Sequence, residues 1–355
     1  MLRAVAAIGV VFTHAITRTS NSILHAGPHS VFANSVDQLT VGDAGVDLFF
    51  IISGFIMLYV HKNDFSKPGA PARFMIRRIF RIVPIYWLLT TGAIAVLIFA
   101  PQLYTIHYNR IDLGWIATSY LFVPSTIEGQ PMTPVVTVGW TLNYEMLFYV
   151  VFAAALLLPR SRAVPALFVF FGCAVLAGLL FAPSNPWLVL ATSWLLLDFL
   201  IGLGIAFWVD SGGRLPTGAR TLLLSIGIAG LAATVFWSPP EQGPLRLAGW
   251  GLPMAMIFCA TCTMKLPGNR TTRTLGLLGN ASYSIYLFQF FALPAWGLAM
   301  ARLHASVLPF DLDVLILTAL VTLSGLVFWL VVEQPISSAI HYRAPRDLRK
   351  QWSTP

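Results

Sequence analysis

Residues 1–17 read MLRAVAAIGVVFTHAIT, an apolar helix interrupted by two ionisable side chains, Arg3 and His14. At about 100° and 1.5 Å per residue both face one side, roughly 16 Å apart along the axis. A hydrocarbon core is about 30 Å thick, so with Arg3 at one interface His14 falls a little past the midplane. An ionisable group at that depth marks a functional site by default. A histidine hydrogen-bonded between packed helices satisfies the same pattern, and this helix alone leaves the two readings level.

The rest of the chain has the same character. Of 355 residues, 57% are hydrophobic and 10% charged, against about 25% charged in soluble domains. The expected fold is an all-α integral membrane protein of about ten transmembrane helices. They fall near 2–17, 44–61, 82–101, 138–158, 163–182, 187–209, 220–237, 247–264, 278–300 and 312–333. The first is short, as a start slightly upstream or a trimmed terminus would make it. No signal-peptide cleavage site follows it, so it is kept as a span. Leu113 to Val123 is too short to cross and is expected to lie at the surface or re-enter. The membrane domain takes in 1–340 and a basic cytoplasmic tail 341–355. Cys173, Cys259 and Cys262 all sit in apolar segments. With no second pair and no neighbouring histidine, they imply neither a disulfide nor a metal site.

A net charge of +8 in a soluble protein suggests nucleic acid, but here its distribution points to the bilayer instead. With the N-terminus inside, 18 of the 22 lysines and arginines fall on inner connections or at the inner end of the first span. Only Arg18, Arg110, Arg246 and Arg302 fall outside. The positive-inside rule then sets both termini in the cytoplasm. The longest connections, 18–43 and 102–137, lie outside and are expected to form part of an acceptor-facing mouth. No internal repeat supports an inverted-repeat transporter.

Polar residues inside the spans are the candidates for chemistry. Asp47 sits about a turn into the second span and needs a donor or cation, unless it caps that helix. Ser53 and Gly54 lie near its middle, where small residues allow close helix packing. Arg78 and Arg81, at i and i+3 on the inner side, share a face suited to phosphates, as well as to anchoring in lipid headgroups. Glu145, in the fourth span, lies at a depth comparable to His14. A carboxylate there would orient an imidazole and raise its basicity, the arrangement that takes a proton from an attacking hydroxyl. A structural ion pair or a transporter's proton relay fits the same two residues.

Taken together these stretches resemble the acyltransferase 3 family over essentially the whole chain. LRAVAAIGVVFTHA matches its arginine, ten residues, histidine signature through Arg3 and His14. GVDLFFIISGF matches the second-span motif, and RRIFRIVPIYW supplies Arg-x-x-Arg as Arg78 and Arg81. WTLNYEMLFY carries Trp140 and Glu145, and ASYSIYLFQ and VEQP match the closing signatures. Thr141 stands where serine is usual, and Gln289 where many members carry histidine. The form of the motifs leans towards the exopolysaccharide-modifying branch.

The resemblance implies a bacterial inner-membrane, multi-pass O-acyltransferase. The donor it implies is acyl-CoA, acetyl-CoA in the first place, with no tightly bound cofactor. The acceptor is a hydroxyl of a surface polysaccharide or lipid-linked sugar. His14 is then the general base with Glu145 as its partner, and Arg3, Arg78 and Arg81 bind the donor. Asp47, Ser53, Tyr86, Trp140, Asn143, Tyr283 and Gln289 are the supporting or acceptor-side candidates. The rival readings are a glycolipid transporter or flippase with a His14–Glu145 proton relay, and an acyltransferase acting on a small hydrophobic molecule.

Overall fold

A computed structural model describes residues 1–20, 40–101, 111–127, 130–264, 267–302 and 309–343. Glu128, most of the connection 18–43 and the tail beyond Arg343 lie outside the described residues. The protein is almost wholly helical, and α1 (Leu2–Ser20) is an interior helix. Ala4, Ala7, Val11 and Ala15 recur at helical spacing and are all buried, as a face shared between neighbours requires. Those neighbours are α2 (Ala44–His61), α12 (Arg270–Asn280), α13 (Ser282–Arg302) and α14 (Phe310–Phe328).

In hydrocarbon no expulsion of water drives helices together, so small residues set how closely they approach. Gly54 of α2 lies against the Phe199 carbonyl of α8 (Leu196–Asp210), and Gly202 of α8 lies against the Ile51 carbonyl of α2. A methyl group at either position would meet the partner's backbone. This close pair is continued by stacked rings. Phe199 lies 4.5 Å from Phe50 and 4.4 Å from Phe148, tying α2 and α8 to α5 (Trp140–Ala155).

The third helix, α3 (Ala70–Phe99), starts well before the boundary expected near residue 82. Gly69 precedes it at φ 69°, and Pro71 occupies its first turn, a residue pair that starts a helix sharply. Arg77, Arg78 and Arg81 are therefore helical residues rather than part of a connection, and Pro84 lies inside the helix. After it comes the short helix α4 (Leu113–Tyr120), where an apolar stretch too short to cross was expected. Asp112 caps it by accepting the Trp115 N–H at 2.6 Å. An antiparallel pair follows, β1 (Ser125–Ile127) against β2 (Gln130–Met132), the one sheet among the described residues.

Beyond α5 the chain forms α6 (Arg160–Phe181) and α7 (Pro186–Ala191), then α8 after a break over residues 192–195. The span expected over 187–209 is matched by Pro186–Asp210, with a break at 192–195 dividing it into α7 and α8. α9 (Thr217–Ala233) comes next, and α10 (Pro244–Arg246) passes through a π-helical turn, Leu247–Gly251, into α11 (Leu252–Thr261). A second π turn, Trp329–Glu333, joins α14 to α15 (Gln334–Arg343). Large apolar side chains on the outer faces of α6 and α9, among them Phe170, Leu180 and Leu222, are exposed, as a lipid-facing surface requires.

All ten segments expected as spans contain helix. Among the described residues six helical segments are long and apolar enough to cross a membrane: Val41–His61, Ala70–Phe99, Arg160–Phe181, Pro186–Asp210, Ser282–Met300 and Phe310–Ile340. The others, α1, α5, α9 and the α10–α11 unit, are shorter or less apolar.

Candidate active site

One cavity gathers Arg3 from α1, Ser53 from α2, Arg78 and Arg81 from α3, Glu145 and Tyr149 from α5, and Ser282 and Tyr283 from α13. Its volume is about 70 Å³. Arg3 reaches it because α1 starts beside α13, where its Nε donates to Ser282 Oγ at 3.2 Å. Arg78 is buried, its guanidinium 5.4 Å from the Phe74 ring and 5.6 Å from the Tyr149 ring. Three guanidiniums face one carboxylate, so the lining is strongly cationic. A polyanion with several phosphate oxygens is the ligand chemistry this favours.

Glu145 belongs to this cavity, and its partners are not the expected ones. Ser53 Oγ donates to Glu145 Oε1 at 3.1 Å, and the Tyr149 hydroxyl donates to the same oxygen. His14 lines other cavities and takes a different partner. Matching depth on two helices fixes neither azimuth nor the true level of a residue, and here Glu145 lines the same cavity as Arg3 instead. Tyr149 stands one helical turn after Glu145, so this partner was readable from i, i+4 spacing.

His14 Nδ1 lies 3.0 Å from Gln289 Oε1. Gln289 is 1% exposed, and its Nε2 donates to the Tyr286 carbonyl at 2.8 Å. With the amide nitrogen committed, Oε1 faces the ring and must accept. The proton therefore sits on Nδ1, and Nε2 keeps its lone pair. Glutamine at the position where histidine was the familiar residue thus sets the tautomer of the candidate base.

Two chambers of about 490 and 480 Å³ flank His14. The first also has Asp43, Trp140, Asn143, Tyr144 and Arg246 in its walls, with Pro124, Ser125, Pro131 and Pro134 from around the strand pair. The second adds Arg18, Thr137 and Gln289. Glu241, from the segment before α10, borders both. Carboxylates, amides and an indole around a void are the groups that bind polyhydroxyl ligands.

Tyr286 and Val46 line both the arginine cavity and the larger histidine chamber, and so form the partition between them. The Tyr286 hydroxyl donates to the Val138 carbonyl at 2.9 Å and lies 3.1 Å from Thr141 Oγ1. Thr141 keeps the hydroxyl that serine would supply there.

Two expected candidates lie elsewhere. Asp47 is fully buried and does not cap α2. It is bound by Arg246, a residue that sequence reasoning counted only as an outer-loop charge. Tyr86 is fully buried against Phe122, with ring centroids 4.7 Å apart, and its position supports packing. Among the described residues no cluster of three or more histidine, cysteine or acidic side chains could hold a metal ion, and the three cysteines are free.

A family model described as an acyltransferase domain matches residues 1–333. The chain is 34% identical over 314 residues to the exopolysaccharide production protein ExoZ of Rhizobium meliloti (strain 1021), covering 84% of this chain and 90% of that one. It is 26% identical over 268 residues to the putative membrane-bound transacylase BcsY of Komagataeibacter xylinus, covering 70% of this chain and 65% of that one. No solved structure matches the chain.

Proposed function

This chain belongs to the acyltransferase 3 family and is a membrane acyltransferase, and from that premise we propose that it acetylates a hydroxyl of a surface polysaccharide or lipid-linked sugar. The donor is acetyl-CoA, taken from the cytoplasm into the arginine cavity. The acceptor enters the chambers around His14 from the other side of a bacterial inner membrane. Both termini are cytoplasmic, as the lysine and arginine distribution supports. The membrane domain runs to about residue 340 and is followed by a basic cytoplasmic tail, 341–355.

The observation that carries this reading is the pairing of two unlike cavities along α1. A cationic one surrounds Arg3, and a polyhydroxyl-binding one surrounds His14 three turns away, with Tyr286 between them. Arg3, Arg78 and Arg81 hold the donor's phosphates while its long pantetheine arm extends past Tyr286. His14 Nε2 takes the proton from the acceptor hydroxyl as its oxygen attacks the thioester carbonyl. The carbon–sulfur bond then breaks, and the imidazolium returns the proton to the leaving thiolate. The products are the O-acyl ester and free CoA. Glu145 serves the donor end, organising the arginines together with Ser53 and Tyr149. The name of ExoZ supports a polysaccharide acceptor. The separation of Glu145 from His14 weighs against a proton-relay transporter.

The test uses the purified protein in detergent with acetyl-CoA, measuring free CoA thiol with and without an acceptor glycan. Acceptor-dependent thiol release together with O-acetyl ester on the glycan is the expected result. Thiol release indifferent to the glycan would overturn the acceptor assignment. No release at all from folded protein would overturn the donor.

A further inference from the structure

The last residue of α2, His61, lies outside both chambers, yet it reaches into the arginine cavity through another residue. His61 is 2% exposed, and its ring packs edge-on against Phe74 at 5.0 Å and Phe152 at 6.5 Å. Arg78 Nη2 lies 3.3 Å from His61 Nε2. An arginine is always protonated and can only donate, so Nε2 must be the acceptor. The ring proton therefore sits on Nδ1, 2.8 Å from Asp64 Oδ2, which accepts it. The turn that ends α2 holds Asp64 there, its own N–H donating to the His61 carbonyl at 2.9 Å. Each bond in the chain Asp64–His61–Arg78 fixes the direction of the next.

At the other end the guanidinium is paired with no carboxylate among the described residues. Aromatic rings cover it on two sides, His61 takes one Nη2 hydrogen, and its buried Nε has no partner among the described residues. That is an arginine held in place with hydrogen-bonding capacity left open, beside a cavity. A carboxylate in direct contact would neutralise it. A neutral imidazole orients it and leaves its charge for the ligand.

We propose that His61 and Asp64 are positioning residues that hold the Arg78 guanidinium ready for a phosphate of the acyl donor. The proposal rests on the donor assignment made above. A side chain fixed before binding loses less rotational freedom on binding, so affinity rises without a new contact to the ligand.

The test is steady-state kinetics on the full-length protein in nanodiscs, with acetyl-CoA varied at saturating acceptor. His61→Gln carries a side-chain oxygen near the place of Nε2 and can still accept from Arg78. His61→Asn carries an amide near Nδ1, can still donate to Asp64, and leaves Arg78 without its acceptor. The donor KM of His61→Asn should rise about tenfold, the equivalent of about 1.4 kcal/mol, with the loss carried by KM rather than kcat. His61→Gln should stay within about threefold of wild type, and Asp64→Ala, at a half-exposed site, should fall between the two. Arg78→Ala should raise the donor KM at least as far as His61→Asn.

A wild-type donor KM in His61→Asn, or equal losses in the Asn and Gln variants, overturns the proposal while Arg78→Ala still raises KM. A wild-type donor KM in Arg78→Ala overturns the donor assignment and the proposal with it. If His61→Asn yields no folded protein, Asp64→Ala decides alone: an unchanged donor KM there overturns the proposal.

Discussion

Arg246 clasps Asp47 in the protein interior, with Nη2 2.7 Å from Oδ2 and Nε 3.2 Å from Oδ1, although the two are 199 residues apart in sequence. They are 4% and 0% exposed. Arg246 also donates to the Glu241 carbonyl at 3.0 Å and lies 4.7 Å from the Trp250 ring. The pair therefore fixes α10, and through the Glu241 carbonyl the segment before it, onto the start of α2, beside His14. Breaking a buried pair by removing one partner typically costs about 3–5 kcal/mol, because the other charge stays buried alone. Arg246→Ala should lose most folded protein, measured by size-exclusion chromatography after heating. Joint replacement of Arg246 and Asp47 by methionine and leucine should recover a large part of that loss. Equal losses in the single and joint variants would refute the pairing account.

His14→Ala should reduce acyl transfer about 10²–10⁴-fold at an unchanged level of folded protein, the usual contribution of a general base. His14→Gln should be nearly as inactive, since it cannot take up a proton. Gln289→Leu should lower kcat about tenfold and leave the donor KM alone, because the tautomer anchor and the bond to the Tyr286 carbonyl are lost while the arginine cavity keeps its lining. Retained turnover in His14→Gln would remove the histidine from the chemistry.

Glu145 and His14 should behave as independent sites. They line different cavities and share no hydrogen-bond partner among the described residues, and such residues contribute additively within about 0.5 kcal/mol. Glu145→Gln still accepts from Ser53 and Tyr149, so the protein should fold. Its effect should appear in donor affinity, because one negative charge leaves the arginine cavity. A double-mutant cycle on kcat/KM settles the matter: a coupling well above 1 kcal/mol would return Glu145 to the side of His14.

Gly54→Val should separate α2 from α8. The branched side chain meets the Phe199 backbone, which cannot rotate away as a side chain would. Overpacking costs about 1–3 kcal/mol even where neighbours can move, so a sharp fall in thermal stability is expected. Gly172→Ala, where an added methyl group meets nothing within 4 Å, is the matched control and should leave stability unchanged.

Orientation is tested by labelling single cysteines in intact cells, after Cys173, Cys259 and Cys262 have been replaced by serine. A membrane-impermeant maleimide should reach Leu113→Cys, at a highly exposed position on α4, and should not reach Arg162→Cys at the start of α6. The reverse pattern would invert the topology.

The helices were legible in the sequence because hydropathy is a local property. So was the arginine cavity, since Arg3, Arg78, Arg81 and Ser53 are named by local motifs and the fold brings them together. What escaped was whatever depends on azimuth between distant helices. Glu145 was matched to His14 by depth alone, yet a helix face points in one direction and α5 turns it towards the arginines. Gln289 was read as a missing histidine, although its value lies in having an amide with two ends, one for Tyr286 and one for His14. Arg246 read as a loop charge because nothing near it in sequence reveals a carboxylate 199 residues away. The break at 192–195 was hidden because Thr192, Ser193, Trp194 and Leu195 include no glycine, proline or charge to mark it.

Tyr286 has a further consequence for the cell. In the proposed orientation the two hollows along α1 open to opposite compartments, so the layer between them is thin and the membrane potential stands across it. Each elementary charge crossing it gains about 2.3 kcal/mol per 100 mV, so a continuous water column here would discharge the membrane. A phenol anchored to the Val138 carbonyl and to Thr141 makes that layer an insulator as much as a passage. Widening it has a physiological limit set by leakage of protons and ions, whatever it does for turnover.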